Sequence, residues 1–221
     1  MVSVTGDATS PSARGQSIGA WLDELGSAAP APGGGAAAAL TAATAAALVE
    51  MVANLTVGRP AYAEHEAQVT AIRDMARQLR QRAVTQADED AAAFRALMAA
   101  YRLPRQTSEQ QAARQPAIQA ATRQAAAVPL DVAATAAEVI RLAAELPGRS
   151  NPNVLSDVGV AAATAAAAIE AAAINVDVNL AALPGTEAEA RAALTAQLES
   201  HLAVAEQGRA LAARVRRDIA A

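Results

Sequence analysis

Two aspartates stand where a carboxylate can move a proton. Asp157 follows the polar loop Ser150-Asn151-Pro152-Asn153 and opens a long apolar run. Asp90 closes the triplet Asp88-Glu89-Asp90 and precedes Phe94 by four residues, so the two share a helical face. Burial beside an aromatic raises a carboxyl pKa unless a cation or donor offsets it, and such a group serves as an acid, a base or a grip on an N–H edge. A solvated acidic turn is the plainer reading, and it fits Asp88 and Glu89 better than Asp90. For Asp157 the plainer reading is a first-turn carboxylate that complements the helix dipole.

Three further stretches could hold a ligand for those carboxylates. Ala31-Pro32-Gly33-Gly34-Gly35 sits directly before a helix. Its glycines allow close backbone approach, and the helix start offers free N–H groups and a positive dipole end. The same string also serves as a flexible connection. No Gly-Lys-Ser/Thr follows, so it is not a Walker loop. Asn54 and Thr56 lie near the end of a small-residue helix, where Asn54 orients a polar ring or a water, or only bonds the helix end. Asn175 and Asn179 share one face of an otherwise apolar helix. Buried amides need partners, so they bond across a helix interface or line a pocket.

Composition removes several chemistries. There is no cysteine, hence no thiolate nucleophile, disulfide or cysteine-type zinc site. All 18 basic residues are arginine, which excludes Schiff-base chemistry on a lysine. His65 and His201 are far apart in sequence, and no metal site is expected. A net charge of −4 without a basic block argues against nucleic acid. The N-terminus has neither a basic nor an apolar segment of the signal-peptide type. The uncharged stretch 26–49 is interrupted by two prolines and three consecutive glycines, so no membrane span is expected there and a cytoplasmic protein is.

The elements that must position these residues are helices. Alanine, the best helix former, supplies 67 of 221 residues, and strand formers are sparse, so the class is all-α, a multihelical bundle with long helices. Spacing predicts helices over 17–28, 36–57, 60–101, 108–127 with Pro116 as a kink or restart, 129–146, 157–183 behind an Ser156 N-cap, and 189–219 behind a Thr186-x-x-Glu189 capping box. Residues 1–14, rich in Ser, Thr, Gly and Pro, are expected to form a disordered arm, and 15–221 a single domain. Alanine faces bury little area per residue at roughly 25 cal/mol per Å2, so a second subunit is expected.

The order of the motifs adds what none carries alone. PAPGGGAAAALTAATAAALVEMVANLTVGRPAY, DEDAAAFRALMAAYRLP, AIQAATRQAAAVPL and NPNVLSDVGVAAATAAAAIEAAAINVDVNL, taken in that order, resemble the methenyltetrahydrofolate cyclohydrolase / formiminotetrahydrofolate cyclodeaminase family from about Ile18 to Leu180. The resemblance implies a homodimeric helical enzyme with a tetrahydrofolate derivative as substrate and no bound cofactor. It also implies hydrolysis of 5,10-methenyltetrahydrofolate to 10-formyltetrahydrofolate, or ammonia release from the formimino compound; a non-catalytic folate-binding scaffold of the same fold is the third reading. On it, Asp157 is the leading catalytic carboxylate and Asp90 the second. Gly33, Gly34, Gly35, Asn54, Tyr62 and, more weakly, Asn175 bind substrate, while Arg59 and Arg102 could attract its anionic tail.

Overall fold

Helix spacing and alanine content produce six α-helices in the computed structural model, which describes residues 12–220, with no strand among the described residues. They are α1 (Ile18–Leu25), α2 (Gly34–Asn54), α3 (Glu66–Arg102), α4 (Ser108–Ala144), α5 (Leu155–Ala182) and α6 (Ala188–Ala220). Gly58 and Gly148, both at positive φ, turn the chain after α2 and α4. Residues 1–11 of the expected arm lie outside the described residues. Ser12–Gly15 form a turn pinned to α3: the Ser12 hydroxyl donates to Asp88 Oδ2 at 2.5 Å and the Ala13 N–H to Oδ1 at 2.8 Å.

Small side chains set the packing. Ala36, Ala39, Ala42 and Ala46 of α2 and Ala161, Ala165, Ala168 and Ala172 of α5 are fully buried in one core. α2 packs on α3 and α5, α4 on α3 and α5, and α6 on α5. α2 and α5 are antiparallel, since Gly34 lies against Asn175 while the Thr56 hydroxyl, just past α2, accepts from the Asn151 N–H just before α5. Both segments, Gly34–Asn54 and Pro152–Ala182, are long and apolar enough to cross a membrane by length and composition, and just over half of each is buried inside the bundle.

Three local expectations are corrected. The break expected at Pro129 does not occur, because α4 runs through both Pro116 and Pro129. Tertiary contacts along its buried face outweigh the lost hydrogen bond. α5 starts at Leu155 behind Val154, which offers no side-chain cap, so Ser156 is already helical and Asp157 still falls in the first turn. The capping box belongs to Thr107 and Gln110 at the start of α4, while residues 185–187 make a 3-10 turn.

Candidate functional site

The glycine string ends as the N-terminus of α2, which has no side-chain cap of its own: Gly33 occupies that position. Asp90 of α3 supplies the missing acceptor, taking the Ala36 N–H. The approach is close. A Cβ on Gly35 would lie 2.1 Å from Asp90 Oδ1 and 2.5 Å from Cγ, so this position admits no side chain while the carboxyl stays in place. On Gly34 a Cβ would meet Asn175 Nδ2 at an ordinary 3.5 Å, and on Gly33 nothing within 4 Å.

Burial pushes the Asp90 carboxyl above its ordinary range, and the Ala36 hydrogen bond only partly opposes this. Its neighbours in sequence are engaged elsewhere: Asp88 holds the Ser12 turn and Glu89 pairs with Arg82.

A cleft of about 180 Å3 opens beside this carboxyl. Pro30, Ala31 and Gly33–Gly35 form one wall, Asp90, Ala93 and Phe94 of α3 a second, and Ala125 with Asn175 and Asn179 a third. Both amides are fixed by their donor groups. Asn175 Nδ2 donates to the Ala171 carbonyl at 2.9 Å, and Asn179 Nδ2 donates to the carbonyls of Ala125 at 2.9 Å and Asn175 at 2.8 Å. The Asn179 side chain therefore has only its oxygen to offer, an acceptor beside the Asp90 carboxyl, while Asn175 keeps its oxygen and one N–H hydrogen. Such a wall suits a donor-rich or cationic heterocycle.

Of the residues singled out from sequence, the structure brings Gly33, Gly34, Gly35, Asp90, Phe94, Asn175 and Asn179 together and sets Asn54, Tyr62 and Asp157 apart. Asn54 is exposed at the far end of α2, about 30 Å from Gly34 at 1.5 Å per residue. Asp157, half-buried, is about 27 Å along α5 from Asn175. The expectation that Asp157 and Asp90 divide the chemistry is therefore not met within one chain. Tyr62, half-buried in the 3-10 turn Pro60–His65, lies in the segment that follows that same far end of α2. There Asn151 donates to the Leu55 carbonyl and its N–H to Thr56, tying the loop before Asp157 to the end of α2. Arg59 and Arg102 are exposed. Among the described residues no three His, Cys, Asp or Glu gather as metal ligands.

Asn179, to which the resemblance assigns no substrate contact, lines the cleft as well. Its signals were the i, i+4 relation to Asn175 and an apolar helix that leaves an amide no other use.

A helical bundle in which the half-buried Asp90 carboxyl faces a glycine-walled cleft defines a helical enzyme of the cyclodeaminase type. The chain belongs to the Formiminotransferase-cyclodeaminase family, whose model matches residues 17–200. It is 44% identical over 164 residues to the methenyltetrahydrofolate cyclohydrolase of Methylorubrum extorquens, covering 74% of this chain and 79% of that one. It is 35% identical over 164 residues to the formimidoyltransferase-cyclodeaminase of Rattus norvegicus, of which it spans 30%. The crystal structure of the formiminotetrahydrofolate cyclodeaminase from Thermotoga maritima superposes with a TM-score of 0.83 at 26% identity, covering 94% of this chain and 99% of that one.

Proposed function

We propose that this enzyme hydrolyses 5,10-methenyltetrahydrofolate to 10-formyltetrahydrofolate, with Asp90 as the carboxylate that moves the proton. The observation that carries the assignment of Asp90 is its burial against the N-terminus of α2, in a cleft whose side chains offer acceptors. The similarity to a methenyltetrahydrofolate cyclohydrolase supports the reaction.

The methenyl carbon is an amidinium-like electrophile between two nitrogens. Water adds to it as the Asp90 carboxylate accepts one water proton. The same carboxyl returns that proton to N5 as the C–N5 bond breaks, and the remaining hydroxyl proton leaves to solvent as the formyl C=O forms on N10. A carboxyl with a raised pKa is a stronger base when ionised and a usable acid when neutral. The cationic substrate favours the ionised form.

The cleft is smaller than the roughly 300–1,000 Å3 of whole-ligand sites. It takes a ring and leaves the rest of a folate outside, and a homodimer would extend it. The outer faces of α2 and α5 expose Met51, Val160, Ile174 and Val178. An apolar groove of about 740 Å3 flanks α2, where Ile18 and Leu22 of α1 stand exposed. A two-fold axis perpendicular to these helices would bring the Asn54 and Asp157 end of one subunit to the Asp90 end of its partner. That arrangement gives Asp157, Asn54 and Tyr62 a place in the reaction. A cytoplasmic location fits a folate substrate.

Formimino-substrate cyclisation with loss of ammonia is the second reading, favoured by the match to the Thermotoga maritima cyclodeaminase. The test is the near-ultraviolet absorbance of methenyltetrahydrofolate in a buffer where spontaneous hydrolysis is slow. Accelerated loss that vanishes in Asp90→Asn is expected. No acceleration, with ammonia released from the formimino substrate, transfers the assignment to the second reading. Neither activity, with folate still bound, leaves a scaffold.

A further inference from the structure

Pro129 lies inside α4, buried, where it removes a backbone donor. The residue that loses its i+4 partner is Ala125, whose carbonyl would otherwise accept from residue 129. That carbonyl lies at the wall of the cleft, and the Asn179 amide of α5 donates to it at 2.9 Å. The second Asn179 hydrogen goes to the Asn175 carbonyl at 2.8 Å. With both hydrogens engaged, the amide cannot flip without placing its oxygen against two carbonyl oxygens.

We propose that Pro129 is a positioning residue and Asn179 a substrate-binding residue: the carbonyl freed by the proline locks the Asn179 amide so that its oxygen serves as a fixed acceptor for an N–H donor of the bound heterocycle. Helix-interior proline is costly in itself, so its presence in the buried second half of the 37-residue α4 calls for a compensating contact, and Asn179 supplies one. The chemical consequence is selectivity. A fixed acceptor favours a ring edge carrying N–H groups and opposes one presenting a carbonyl there. Pterin, with an exocyclic amine and a ring N–H, is of the first kind. This inference names a substrate contact and rests on the folate reading above.

The test is Pro129→Ala. Its new N–H closes the helical bond to the Ala125 carbonyl and releases Asn179. The expected result is a higher melting temperature together with a KM for methenyltetrahydrofolate raised about tenfold, the value of one lost hydrogen bond, and kcat within about twofold. Asn179→Ala should raise KM similarly, and the double variant should be no worse than Asn179→Ala alone. A purely structural proline would instead lower melting temperature and kcat together and leave the two substitutions additive, which would overturn the proposal. An unchanged KM in Pro129→Ala would do the same. The Asn179 side-chain amide resonances provide a readout that needs no turnover. Slow hydrogen exchange in the wild type that is lost in Pro129→Ala supports the lock even if the substrate is another heterocycle. Fast exchange in both removes it, whatever the activity.

Discussion

Substituting Gly35 by alanine tests the site at its tightest point. The added Cβ would lie 2.1 Å from Asp90 Oδ1, 2.5 Å from Cγ and 2.7 Å from Oδ2, where ordinary contact is 3.4–4 Å. The whole carboxyl must retreat by more than about 1 Å, and the Ala36 N–H bond cannot survive that. Overpacking of this kind destabilises by about 1–3 kcal/mol, and the lost hydrogen bond to a charged group adds roughly 1.5–3 kcal/mol when the carboxyl is ionised. The better helix propensity of alanine returns at most about 1 kcal/mol. Misplacing a reacting group by about 1 Å costs on the order of 10²-fold in rate. Gly35→Ala should therefore reduce kcat/KM for methenyltetrahydrofolate by about two orders of magnitude and lower the melting temperature. Gly34→Ala, with 3.5 Å to Asn175 Nδ2, should stay within about threefold, and Gly33→Ala, with nothing within 4 Å, near wild type. The assay is loss of methenyl absorbance alongside thermal unfolding of the three variants. A Gly35→Ala enzyme with wild-type activity and stability, or three variants equally impaired, would refute the close-approach argument.

Asp90→Asn should cost at least about 10²-fold in activity while melting higher than wild type at neutral pH. The sign follows from a folded pKa raised by burial: the group's contribution is fully present below its unfolded pKa and is lost as pH rises through the folded one. The stability difference should vanish in acid; a variant less stable than wild type at every pH would contradict it. Glu50 behaves oppositely. Burial pushes it up, but hydrogen bonds and charge from Arg80 and Arg77, each at 2.8 Å, outweigh burial and leave it below its ordinary range. Its contribution is present above the unfolded pKa and lost as pH falls through the folded value, so Glu50→Gln should be less stable in urea at pH 7 and converge with wild type in strong acid. A gap that persists in acid would assign the effect to packing. Co-expressing Asp90→Asn with Asp157→Asn chains tests the dimer arrangement. Recovery of activity in the mixed population, from inactive parents, is expected if one subunit supplies Asp157 to the other's cleft, and an active Asp157→Asn homodimer would remove Asp157 from the chemistry.

Helix content and most connections were legible because each depends on local pattern, whereas Gly33–Gly35, Asp90 and Asn175 stood out singly and only the family resemblance joined them in one site. Alanine content dictates helices, three glycines mark a close approach, and Asp90 with Phe94 at i, i+4 marks an inward face. What was not legible depends on distance along rigid rods. Nothing in the spacing of Asp157 reports that α5 carries it some 27 Å from the cleft, because periodicity fixes a face and not a height. The break expected at Pro129 fails for a related reason. Proline breaks an isolated helix, but a buried helix with a donor waiting on its neighbour absorbs one, and that donor is 50 residues later in the sequence, at Asn179.

The alanine richness that dictates helices is also what makes the cleft possible. Leucine-sized side chains keep helix axes nearer the upper end of the 8–10 Å range, whereas facing alanines let them approach. Only then can a side chain as short as that of Asp90 reach across from α3 and accept from the first turn of α2. A longer carboxylate would relieve that requirement but lose fixity, since glutamate has an extra rotatable bond. The same close approach strips water from the carboxyl and raises its pKa, so packing geometry and acid–base strength are set by one structural choice. Asp90→Glu should separate them: if fixity is what matters, activity falls even though a carboxyl remains within reach, and restored activity in that variant would show that the short reach is incidental.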